Sequence, residues 1–103
     1  MESLKIKLRQ KDGKIKTYEQ QFVPLQKLID AADLNDHASE YKTQVEWIEA
    51  KLKYVAGLFD DREVTAEAML KGIDARESLQ VVDDLINQVM GLSDPNSETA
   101  NEE

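Results

Sequence analysis

The chain contains no cysteine, which removes disulfide frameworks, thiolate metal sites and cysteine nucleophiles at once. A single histidine, His37, cannot supply both the base and the metal ligands that most hydrolytic centres need. Four scattered glycines form no phosphate-cradling loop. No apolar run approaches the ~18 residues of a membrane span, and Met1-Glu2-Ser3-Leu4-Lys5 lacks the apolar core of a signal peptide. The expectation is a cytosolic protein without membrane contact. A length of 103 residues also leaves too little chain for a two-domain enzyme.

What is present is a composition of 41% hydrophobic and 33% charged residues, that of a folded domain with a heavily solvated surface. A chain of this size buries roughly two thirds of its unfolded surface, so stability is modest and self-association would add to it. The formal charge of −8 is unevenly spread. Residues 1–16 carry +4, residues 17–92 carry −8 and residues 93–103 carry −4.

Within the basic start, Leu4, Ile6 and Leu8 alternate with Lys5, Lys7 and Arg9, the period of two of a strand with one dry face. Asp12-Gly13 marks a turn, and a second strand is expected over about Ile15 to Phe22. A three-residue loop puts Tyr18 and Phe22 on the face of Leu4, Ile6 and Leu8. A two-residue loop would oppose Leu8 with Thr17 and Ile6 with Glu19, so the three-residue loop is preferred.

Pro24 suits the first position of a helix, expected over about 24–34, with Leu25, Leu28, Ile29 and Ala32 as its core face. A longer helix is expected over 38–59, where Tyr41, Val45, Ile48, Leu52, Val55 and Phe59 form a core stripe. Trp47, Tyr54 and Leu58 lie on a neighbouring flank. That flank is either ordinary core or a surface for a partner or a second copy. Thr65 is a suitable N-cap for a short helix over 65–71 bearing Ala68, Met69 and Leu70, with Gly72 as terminator. The spacing of Asp74 and Glu77 predicts a capping box for a last helix over 75–90. Leu79, Val82, Leu85, Ile86, Val89 and Met90 give that helix its apolar face, and Gly91 its stop. The expected fold is α+β and mostly helical: a β-hairpin, about four helices in one folded domain over residues 1–92, and a disordered acidic tail over 93–103.

The stretch G-I-D-A-R-E-S-L-Q-V-V-D-D-L-I-N-Q-V-M-G, Gly72 to Gly91, resembles the closing helix of the tail assembly chaperones of long-tailed, siphovirus-type phages and prophages of Gram-positive bacteria. The basic opening K-I-K-L-R-Q-K-D-G-K-I-K-T-Y, followed by F-V-P and then by helices, is similar to that family in outline over residues 4–91. The resemblance implies a non-enzymatic protein of the host bacterial cytoplasm, not retained in the mature virion. It implies binding to the tape measure protein, which is kept soluble while the tail tube polymerises. It further implies a longer frameshift product that recruits tail tube protein.

Other chemistry is poorly supplied. Asp36, His37 and Glu40 fall short of a metal set, and Asp60, Asp61 and Glu63 lack the ligand alternation and central glycine of a calcium loop. Neither a metal nor a cofactor is expected. Lys5, Lys7 and Arg9 could approach phosphates, but no aromatic residues interleave them and the body is acidic, which disfavours nucleic acid. The competing function is an acidic inhibitor that mimics nucleic acid. Lys42, Lys51, Lys53, Lys71 and Arg76 interrupt the continuous acidic face that such an inhibitor needs.

Overall fold

The computed structural model describes residues 3–91, apart from the side chains of Ser78 and Leu79. It is an α+β fold in which an N-terminal antiparallel hairpin precedes four helices. The strands are β1 (Leu4–Arg9) and β2 (Ile15–Gln20), and the helices are α1 (Leu25–Asp36), α2 (Gln44–Ala56), α3 (Ala66–Gly72) and α4 (Ser78–Val89). A 3-10 turn, Ala38–Glu40, separates α1 from α2. No described helix is long and apolar enough to cross a membrane. The expected tail over 93–103 lies outside the described residues.

The register pairs Ile6 with Tyr18 and Leu8 with Lys16, as a three-residue loop requires. Gly13 adopts φ +87° at the end of that loop, its N–H donating to the Gln10 carbonyl at 2.9 Å, and Asp12 accepts from the Lys14 N–H at 2.9 Å. Leu4, Ile6, Leu8 and Tyr18 are buried in consequence, while Lys5, Lys7 and Arg9 face water. The strand stops at Gln20 and not at Phe22. The Gln20 amide donates to the Phe22 carbonyl (2.9 Å) and to Asp60 (3.1 Å), and its oxygen accepts from the Asp60 N–H (2.9 Å), which diverts the chain towards Pro24. Phe22 is left 74% exposed.

Several helix boundaries differ from the sequence reading. The helix expected over 38–59 is broken, because Thr43 accepts from the Glu46 N–H at 3.1 Å while Glu46 reaches back to the Lys42 N–H at 3.0 Å. This capping arrangement starts α2 afresh at Gln44 and exposes Val45. At the other end α2 stops at Ala56, yet Leu58 and Phe59 remain buried in the following turn. In α1 the dry position is Ala31, with Leu34 half-buried behind it, so Leu25 and Ile29 of the expected core face point outward. Helix α1 packs against α4, and the Asn35 amide meets Met90 Sδ at 3.3 Å beyond the end of α4. Thr65 caps α3 by accepting from the Ala68 N–H at 3.0 Å, and Met69 is buried while Leu70 is exposed.

The expected Asp74–Glu77 capping box does not form. Asp74 instead accepts from the Arg76 N–H (2.9 Å) and from its guanidinium (2.8 and 3.0 Å), so residues 74–77 make a turn and α4 begins at Ser78. Gly91 follows α4 with φ +76° and closes it. Gly72 has a different task from the terminator expected of it. It is the last residue of α3, and an added Cβ would lie 3.0 and 3.1 Å from the Arg9 carbonyl oxygen and nitrogen and 3.2 Å from Leu8 Cβ. The absence of a side chain lets α3 lie directly on β1.

The hairpin is tied to the α2–α3 connection by Glu63, which accepts from the Tyr18 hydroxyl at 2.7 Å and from Lys16 Nζ at 2.8 Å. The hydrogen bond from Lys16, then that from Tyr18, holds the Glu63 carboxyl below the usual carboxylate range. A lowered folded-state pKa stabilises above the unfolded value of 4.5, and the contribution is lost as pH falls through the folded value. The stability gap between the native chain and Glu63→Gln is therefore expected to be widest near neutrality and to close as the pH falls below the unfolded value of 4.5, as read by urea unfolding across pH. Gly72→Val, which forces a side chain against the β1 backbone, is expected to cost about 1–3 kcal/mol in the same assay.

Candidate partner-binding surface

The α2 flank does not present its three residues together. Leu58 is 3% exposed and belongs to the core, so its place on a partner or oligomer surface is withdrawn. Tyr54 is half-buried, and its hydroxyl donates to the Lys27 carbonyl at 2.6 Å, which pins α2 to α1. Burial first, and the charge of Asp30 second, push the phenol up to about 12, so it stays a donor throughout the physiological range. Trp47 is half-buried near the start of α2, its ring 5.4 Å from that of Tyr41 at a 44° tilt. Lys51 Nζ lies 5.2 Å from the Trp47 ring and 2.8 Å from Asp83 Oδ1. The cation is thus buried yet satisfied, and it couples α2 to α4.

A group of exposed apolar side chains lies elsewhere. Phe22 is 74%, Leu25 72% and Ile29 56% exposed. Leu25 and Ile29 stand one helical turn apart on α1, and Phe22 precedes them on the segment that feeds the helix. Leu25 also lines an open groove of about 400 Å³, together with Leu4, Val23, Leu28 and Val89 and the polar Gln20, Gln21 and Gln88. Exposed apolar area of this kind costs an isolated chain solubility and is a common feature of contact surfaces. Ile15, Val45 and Leu70 are also exposed, at 59%, 62% and 62%, but each on a different element.

Sequence reasoning missed this face because it assigned Leu25 and Ile29 to the core. The available signal was the width of the apolar sector: Leu25, Leu28, Ile29, Ala31, Ala32 and Leu34 are more than one packing contact can cover. The chain's one histidine is occupied locally, with His37 Nδ1 2.8 Å from the Asp33 carbonyl oxygen. Among the described residues no group of three or more acids and histidines is arranged to hold a metal.

A family model described as phage tail chaperone protein matches the chain over residues 1–103. No curated protein and no solved structure matches it.

The division between core and exposed face can be read in unfolding experiments. Leu25→Ser and Ile29→Ser are each expected to change stability by no more than about 0.5 kcal/mol. Leu58→Ala is expected to cost about 2–5 kcal/mol.

Proposed function

This chain belongs to the phage tail chaperone family, and from that membership we propose that it binds the tape measure protein and keeps it soluble while the tail tube assembles, through the exposed face of Phe22, Leu25 and Ile29. The observation that carries the reading is an apolar face left uncovered on a chain that is otherwise one third charged. A tape measure protein with long amphipathic helices would aggregate through its own apolar stripes before the tube encloses it. Laying such a stripe along α1 and into the adjoining groove removes both apolar surfaces from water, at roughly 25 cal/mol per Å² buried. The net charge of −8 then keeps the complex dispersed. The role is binding without chemistry, carried out in the cytoplasm of the infected cell, and recruitment of tail tube protein falls to a longer frameshift product.

Co-expression with the tape measure protein of the same genome tests the proposal. The native chain is expected to yield a soluble complex recoverable by pull-down. The triple variant Phe22→Ser, Leu25→Ser, Ile29→Ser is expected to keep its circular dichroism and unfolding midpoint but to leave the tape measure protein in the pellet. An insoluble tape measure protein with the native chain present would overturn the function. Rescue by the folded triple variant equal to that of the native chain would overturn the surface.

A further inference from the structure

The outer face of β1 presents Lys5, Lys7 and Arg9 at alternate residues, spaced by about 7 Å along the strand. Among the described residues no ion pair engages any of the three, whereas Lys16, Lys51, Lys71 and Arg76 each contact a carboxylate. Glu19, directly across from Lys5 in the register, accepts instead from the Ser3 hydroxyl. The strip forms one wall of an open groove of about 610 Å³, which also includes Ile15, Ile73 and Val81, together with Lys71, Glu77 and Asp74, the last already paired with Arg76.

We propose that this strip is the docking surface for the chain's own acidic C-terminal segment, residues 93–103. Three observations favour that occupant. The segment carries Asp94, Glu98, Glu102 and Glu103 and no basic residue, a charge of −4 opposite in sign to the three cations of the strip. It starts in the right place, because Gly91 and Leu4 line the same groove, which brings the end of α4 beside the first residue of β1. It is long enough: the twelve residues after Gly91 reach up to about 40 Å when extended, against roughly 13 Å from Lys5 to Arg9. Each exposed ion pair is weak by itself, but a short tether holds the acids at an effective concentration on the order of millimolar. Docking of this kind withholds the strip from other anions and leaves the apolar face of α1 as the surface offered to a client.

The absence of cysteine makes the test direct, since Ser97→Cys provides a unique attachment point for a nitroxide spin label. Amide signals of Lys5, Lys7 and Arg9 are expected to lose most of their intensity near 0.01 M salt and to recover near 1 M salt, where the Debye length is only ~3 Å. The combined substitution Lys5→Glu, Lys7→Glu, Arg9→Glu is expected to abolish the broadening while leaving the rest of the spectrum in place. Isotope-labelled native chain mixed with unlabelled spin-labelled chain should show no broadening. Broadening that appears in that mixture would assign the acids to a second copy and overturn the proposal. Unbroadened strip signals, or broadening centred on Phe22, Leu25 and Ile29, would overturn it equally.

Discussion

The pairing of Ile6 with Tyr18 decides which side of the hairpin is dry, and the helices are arranged against that side. A register shifted by one residue would bring Glu19 and Thr17 opposite Ile6 and Leu8 and turn the Tyr18 ring to water. With the observed register, Leu4, Ile6, Leu8 and Tyr18 form one apolar floor that joins Leu52, Val55, Leu58 and Phe59 with Val82, Leu85 and Ile86 in a continuous core. Polar ties reinforce the same choice. The Tyr18 hydroxyl can reach Glu63, and Gln20 can reach Asp60, only because those side chains emerge on the helix side. Gly72 then lets α3 come down onto the β1 backbone.

Much of this was legible in the sequence where one local rule acted without competition. The alternation of Leu4, Ile6 and Leu8, the Asp12-Gly13 turn, the Thr65 cap and the stop at Gly91 each follow from a short-range preference that nothing else opposes. The misreadings share a cause, namely two local signals in conflict. Tyr41, Val45 and Ile48 continue a helical stripe, but Thr43 with Glu46 builds a cap inside it, and the hydrogen bonds of the cap prevail over the periodicity. Asp74 stands three residues before Glu77 as a capping box requires, but Arg76 claims its carboxylate first. The exposed face of α1 was harder to see, since the periodicity of α1 establishes that it is amphipathic but not which part of a broad apolar sector meets α4.

Two features of the surface now have separate explanations. Acidic charge covers the helical body and opposes self-aggregation. Among the described residues, Phe22, Leu25 and Ile29 bring three exposed apolar side chains within one segment, whereas Ile15, Val45 and Leu70 are exposed on separate elements. A chaperone for an aggregation-prone helical client needs both properties and needs them on different faces. Tyr54 ties α2 to α1 through the Lys27 carbonyl, and Lys51 ties α2 to α4 through Asp83.

Hydrogen–deuterium exchange on the complex with the tape measure protein tests the central claim most directly. The account predicts slowed exchange across residues 22–29 on binding, with residues 44–56 unchanged. Protection confined to residues 44–56, or the absence of protection anywhere in a complex that forms, would contradict it.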